Sequence, residues 1–352
     1  MSIACFRQLA ELLKSGNAVL ATIIRVQGSV PREVGAKMII APNQLNFFTI
    51  GGGAGEAKVI ACAQQVLATG HKQAVTIDLS GSRQRQSEGV CGGQMQVWLE
   101  RWQGEEAIAL TDQILSKLQS GQSITLVTPL EQNNSPYLSE NPNNISITQN
   151  NVQNTFIEYL QPPPTLLIIG AGHVGEQLAK VAHAIGFEIA IQDDRLEWAN
   201  KSKYPQAHWI LTDAIASALD KFANHTQLYV ALVTRGYAYD LEALATLLKR
   251  KINCRYIGMI GSEKRVKKVY QSLIKSGLTT DQFAPIYAPI GLDIEALTPE
   301  EIAISIGAEL IMVSRGGTGL PLSINLRQML AHSTSLSVPD PICLEDSPDR
   351  GK

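Results

Sequence analysis

The spacing of apolar and polar positions divides the chain into two stretches of different rhythm. Residues 1–16, MSIACFRQLAELLKSG, repeat apolar residues at helical intervals and predict an amphipathic helix. Strand-like runs follow at 18–29 (AVLATIIRVQGS) and 36–42 (AKMIIAP), with a turn expected at Pro42-Asn43. The segment 49–70, TIGGGAGEAKVIACAQQVLATG, reads as a glycine-rich loop feeding a helix that stops at Gly70. A strand at 74–80 (AVTIDLS), a polar loop at 80–93 and a strand at 94–102 come next; QMQVWLERW alternates as a half-buried strand should. A helix at 106–121 and a strand at 123–130 complete this half. Positions 131–154 are rich in Asn, Ser, Gln and Pro and read as a surface hairpin or insertion.

Beyond Gln161-Pro162-Pro163-Pro164, a stiff connector and the best boundary between domains, the rhythm changes. Short continuous apolar runs at 166–170, 187–193, 208–213, 228–235 and 254–261 alternate with helical patterns, which predicts a parallel sheet covered on both faces. A last helix begins near 299, with Thr298 as N-cap, Pro299 in the first turn and Glu301 completing a capping box. The fold class expected is α/β: a C-terminal doubly wound sheet at 161–330, preceded by a smaller mixed α/β domain at 1–160 and followed by a polar tail at 331–352.

Within the second half, TLLIIGAGHVG at 165–175 is the most informative stretch. A strand runs into Gly170-x-Gly172-x-x-Gly175 and then a helix, and the next strand ends on Asp193 and Asp194. Strand, glycines, helix and acid together make a Rossmann fingerprint, which none of them makes alone. Gly170 permits the tight turn, Gly172 lets a pyrophosphate approach the backbone, and Gly175 lets helix and strand pack closely. Asp193 or Asp194 suits a ribose hydroxyl and Arg195 a 2′-phosphate, so NAD and NADP both remain open. His173 lies inside the fingerprint, either facing a ligand or simply exposed at a helix start. Two later strand ends, Thr234-Arg235-Gly236 and Gly258-Met259-Ile260-Gly261, lie at the edge where open α/β sheets bind ligands. Arg235 is either an anion contact or an ordinary loop arginine.

Composition narrows the classes of function. With 352 residues, 45% hydrophobic and 18% charged, the chain suffices for two domains of ordinary globular character. A net charge of −2 gives no field for nucleic acid, and the basic run Lys264, Arg265, Lys267, Lys268 reads as a solvated helix face. Five scattered cysteines, Cys5, Cys62, Cys91, Cys254 and Cys343, include no CxxC pair and argue against a disulfide framework or structural zinc. No apolar run is long enough for a bilayer, and the N-terminus is no signal peptide, so a cytoplasmic protein is the default expectation. HExxH, Walker A and GxSxG motifs are missing, and no constellation of residues suggests catalysis.

The first half carries three glycine loops beside strands: Gly28-Ser29-Val30-Pro31-Arg32, Gly51-Gly52-Gly53-Ala54-Gly55-Glu56 and Gly89-Val90-Cys91-Gly92-Gly93. Such loops near an arginine can form backbone nests for anions. An exposed Cys91 near Arg83 or Arg85 would be reactive; a buried one would be only a small apolar residue.

In order, GSVPREVGAKMII, GGGAGEAKVI, EGVCGGQMQVWLE, PPPTLLIIGAGHVGEQLAKVAHAIGFEIAIQDDR, VTRGYAYDLEAL, YIGMIGSEKRV and PIGLDIEALTPEEIAISIGAELI resemble the XdhC/CoxI family nearly end to end. These are accessory factors of xanthine dehydrogenase and related molybdenum enzymes. The resemblance implies a protein that binds molybdenum cofactor, a molybdopterin, protects it during sulfuration and hands it to an apo molybdenum hydroxylase. By resemblance Cys91 is the leading metal-proximal ligand, shaped by Gly92 and Gly93. Ser29, Arg32, Gly52, Gly53 and Glu56 are weaker candidates; for Glu56, helix capping is a strong alternative. A cofactor sulfurtransferase is a further candidate partner, and a homodimer the expected assembly. Two other readings stand beside this one: an NAD(P)-dependent oxidoreductase, and an assembly protein whose Rossmann domain reports nucleotide state.

Overall fold

The computed structural model describes residues 2–42, 45–79, 92–139 and 154–324. The first half is built on an antiparallel five-stranded sheet. In chain order its elements are α1 (Ser2–Leu13), β1 (Ala18–Gln27), β2 (Lys37–Ile40), β3 (Asn46–Phe48), α2 (Gly53–Thr69), β4 (Gln73–Asp78), β5 (Gln94–Trp102) and α3 (Gly104–Gln119). Strand order is β3-β2-β1-β5-β4. On one face, Val59, Ala63 and Val66 of α2 pack on Val19, Ala21, Ile23, Val97 and Leu99. On the other, Phe6 and Leu9 of α1 and Ile114 and Leu118 of α3 pack on Leu20, Ile39 and Trp102. Each buried Val, Leu or Ile side chain among them gains about 1.5–3 kcal/mol from burial.

The alternation read in β5 is only part of its character. β5 lies between β1 and β4, and Val97, Trp98, Leu99 and Glu100 are all buried because both sheet faces carry helices. Glu100, a solvent-facing position by pattern, pairs with Lys72 at 2.5 Å. Burial raises its pKa against the pull of that lysine.

A three-stranded antiparallel sheet follows, β6 (Ile124–Pro129), β7 (Tyr137–Leu138) and β8 (Thr155–Leu160), in the order β7-β6-β8. Thus 137–138 of the polar segment pair with β6, while its residues 140–153 lie outside the described residues. β3 and β8, absent from the pattern reading, are short or half-exposed and owe their pairing to β2 and β6.

After the prolines come β9 (Thr165–Ile169), α4 (His173–Ala184), β10 (Glu188–Gln192), β11 (Ala207–Leu211), α5 (Ile215–Asp220), β12 (Leu228–Leu232), α6 (Tyr237–Arg250), β13 (Tyr256–Met259), α7 (Glu263–Lys275), β14 (Ile286–Tyr287) and α8 (Pro299–Arg315). The six strands are all parallel in the order β11-β10-β9-β12-β13-β14, the doubly wound Rossmann topology. α4 and α8 cover one face through Leu178, Ala182, Ile306 and Leu310. α5, α6 and α7 cover the other through Ala218, Leu244 and Val269. The capping box on α8 forms as read: Thr298 accepts from the Glu301 N–H at 3.2 Å and Glu301 accepts from the Thr298 N–H at 3.0 Å.

Candidate functional site

The topological switch point of the parallel sheet lies between β9 and β12, where their carboxyl ends diverge. A cleft of about 270 Å³ opens there, lined by Gly170, Asp193, Asp194, Thr234, Arg235 and Tyr239 among others. The three glycines act in distinct ways. Gly170 has φ +115°, and a Cβ on it would come within 2.5 Å of the Val233 carbonyl oxygen. A Cβ on Gly175 would meet the Gly170 carbonyl oxygen at 2.3 Å. Gly172 touches nothing within 4 Å on its open side and caps α4 in ordinary extended geometry, so its backbone faces free space. An open helix N-terminus of this kind suits a phosphate.

Asp193 and Asp194 differ sharply. Asp193 is 5% exposed and accepts the Ala171 N–H at 2.8 Å, the Arg195 N–H at 3.1 Å, and Arg195 Nε and Nη2 at 2.8 Å each. Burial opposes its charge, but the Arg195 and Ala171 bonds outweigh that and hold the carboxyl at about 2. Its oxygens clamp the glycine turn, and Oδ1 also lies 3.5 Å from Arg235 Nη1. The Asp194 side chain, 52% exposed, pairs with Arg235 at 2.9 Å, and the Arg235 guanidinium lies 4.2 Å from the Tyr239 ring centroid. Asp194 is thus the accessible carboxylate at the edge of this cleft, with Arg235 its cationic neighbour.

His173 meets Trp198 edge-on at 5.7 Å, and Trp198 carries Arg195 at 4.8 Å and Lys203 at 3.8 Å from its ring centroid. Pattern reading missed Trp198 and Lys203, which come from the irregular segment after β10 and carry no motif. Thr234 donates to the buried Asp240 carboxylate at 2.6 Å, and Arg265 Nε reaches the same carboxylate at 2.7 Å. Thr234 therefore braces the start of α6. Gly258 makes room for Ile290 and the Tyr256 hydroxyl, and Gly261 has Arg265 beside it.

In the N-terminal half the sheet brings loops distant in sequence together. A Cβ on Gly93 would lie 2.3 Å from the Ser29 carbonyl oxygen, and one on Gly51 would lie 2.5 Å from Pro31 Cγ. The first glycine loop thus packs between the other two. Gly52 and Gly53, at φ +77° and +68°, leave open space above the start of α2. Glu56 Oε2 holds that loop from below, accepting Thr49 Oγ1 at 2.6 Å, the Ile50 N–H at 3.2 Å and the Gly52 N–H at 3.1 Å. Ser29 and Gly92 are exposed and Arg32 half-buried. Cys91, Arg83 and Arg85 lie outside the described residues. Among the described residues no group of His, Cys, Asp and Glu is arranged to hold a metal ion, and no helix is long and apolar enough to cross a membrane.

A Rossmann-type domain joined to an antiparallel domain of converging glycine loops defines the class of protein. The chain belongs to the XdhC/CoxI family: the XdhC Rossmann domain matches residues 166–310 and the XdhC and CoxI family matches residues 12–78. It is 29% identical to a probable xanthine dehydrogenase subunit of Bacillus subtilis, over 85% of this chain and 93% of that protein. The molybdenum cofactor insertion chaperone PaoD of Escherichia coli is 26% identical over 87% of each chain. A crystal structure of a xanthine dehydrogenase from Bacillus halodurans superposes with a TM-score of 0.71 at 28% identity, covering 92% of this chain and 97% of that one.

Proposed function

We propose that this protein binds molybdenum cofactor as cargo, shields it, and delivers it to an apo molybdenum hydroxylase of the xanthine dehydrogenase type. The observation that carries the reading is the convergence of the loops at Ser29–Arg32, Gly51–Gly53 and Gly92–Gly93, with open backbone at Gly52 and Gly53. Family membership and similarity to an insertion chaperone support it. The open space over Gly52 and Gly53 at the N-terminal end of α2 leaves room for the cofactor's phosphate, while Glu56 holds the Gly52 N–H. In this reading Cys91 approaches the dithiolene-bound metal, and the protein turns over no substrate of its own, acting in the cytoplasm as a homodimer.

The test mixes purified protein with molybdenum cofactor and an apo hydroxylase. Retained molybdenum after gel filtration and faster activation of the hydroxylase are expected, and loss of retention in Cys91→Ala locates the cargo. Absence of both retention and activation in the wild type would sink the proposal. Unchanged retention in Cys91→Ala would remove that cysteine's role.

A further inference from the structure

A cavity of about 380 Å³ lies between α1, the loop after Pro31 and β8, lined by Cys5, Arg32, Val34, Gly35, Lys37 and Glu158 among others. Its floor is an ion pair. Lys37 Nζ meets Glu158 Oε2 at 2.6 Å, with side chains 4% and 14% exposed, although 121 residues separate them in sequence. The same ammonium lies 3.4 Å from the Gly35 carbonyl oxygen. Glu158 Oε1 lies beside Gly35, where a Cβ would crowd it at 3.1 Å, and no donor among the described residues reaches it.

Stability alone is a poor explanation for such a pair. Desolvating each ion costs several kcal/mol, and packed apolar side chains of the same volume are often as stable or more so. Facing a cavity, however, the pair sets a fixed acceptor, Glu158 Oε1, next to a fixed donor, Lys37 Nζ. A 2-amino-4-oxopyrimidine edge is the complement: its ring N–H and amino group donate, and its neighbouring carbonyl accepts. Pterins and guanine share that edge. We propose that this cavity seats the pterin end of molybdenum cofactor, with Glu158 accepting from the ring N–H and amino group and Lys37 donating to the ring carbonyl; this rests on the chaperone reading above.

The surroundings fit. Pro31 lines the cavity and also packs on Gly51, so the cavity and the glycine loops are neighbours across one residue. Arg32 forms no ion pair with any described residue and supplies a cation at the same wall; the exposed Glu33 stands next to it. Burial pushes the Cys5 thiol up to about 12, opposed by Lys37, so it lines the wall as a protonated, apolar group.

The test titrates full-length protein with free pterin, followed by pterin fluorescence, and separately with guanosine monophosphate. Retention of molybdenum cofactor through gel filtration is measured in parallel. Glu158→Gln removes the double acceptor; Val34→Trp, at a 46% exposed position, fills the cavity without touching the ion pair. Both variants are expected to weaken pterin binding and cofactor retention at least ~10-fold, with the melting temperature of Val34→Trp unchanged. If Glu158→Gln fails to fold, Val34→Trp decides alone. Wild-type retention in the folded variants overturns the cavity assignment and leaves the chaperone reading intact. A wild type that retains no cofactor overturns the chaperone reading itself. Tighter binding of guanosine monophosphate than of pterin reassigns the cavity to a guanine nucleotide.

Discussion

At the scale of single residues, the Rossmann fingerprint separates into parts that hold the fold and a part left free. Gly170 combines a left-handed-side φ with a 2.5 Å approach to a carbonyl, whereas Gly172 has ordinary geometry and open space. Gly170→Ala should therefore cost about 3 kcal/mol or more. Gly172→Ala should stay within about 0.5 kcal/mol of wild type. Urea titrations of the two variants check this, and equal losses would show that Gly172 is structural too. Asp193 clamps Ala171 and Arg195 in the same turn. Asp193→Asn should destabilise by about 2–4 kcal/mol at neutral pH, because Arg195 loses its charged partner. The folded carboxyl titrates at about 2, below its ordinary 3.8. The charged clamp thus stabilises fully above pH 3.8, and its contribution is lost as pH falls toward 2, where the variant and wild type should converge.

At the scale of elements, helix starts carry most of the local information. The capping box on α8 is readable from Thr298-Pro299-Glu300-Glu301 because both its hydrogen bonds lie within one turn. Thr298→Ala should lower stability by about 1 kcal/mol, read from the urea midpoint at unchanged slope. The start of α2 is built differently, since Glu56 reaches back to Thr49, Ile50 and Gly52 instead of to its own N-cap alone. Glu56→Ala should speed amide hydrogen exchange at Ile50 and Gly52 by about tenfold while leaving the middle of α2 protected, equivalent to losing a bond of about 1–1.5 kcal/mol. Strand β5 shows where pattern fails: Glu100 sits at a polar position of an alternating run, yet the sheet has helices on both faces and Lys72 satisfies it.

At the scale of the molecule, the two halves meet where Ser123 and Thr226 hydroxyls lie 2.7 Å apart and the Thr226 N–H donates to the Gly121 carbonyl at 2.8 Å. His225 fills this junction, with Nε2 3.0 Å from the Thr165 hydroxyl and its ring against Gly121. Burial lowers its pKa from 6.5 to about 4. The folded state therefore holds the neutral ring: stability is full above pH 6.5 and falls as pH drops from 6.5 toward 4, by about 2 kcal/mol. Thermal melts from pH 7 to 4 should show that slope, and His225→Gln should flatten it. An unchanged slope in the variant would assign the acid sensitivity elsewhere.

The order of apolar runs and turn residues by itself determined the parallel sheet, the position of the glycine turn and the capped final helix, because each depends on neighbours within one or two turns of chain. The seven ordered segments likewise carried the family. Only the tertiary structure decided which acid faces outward, since Asp193 and Asp194 are adjacent in sequence and differ by burial and partners. It also decided that Lys37 meets Glu158 across 121 residues, and that Gly93 packs on Ser29 and Gly51 on Pro31. Those contacts are set by sheet pairing and close packing, whose partners a local pattern does not name.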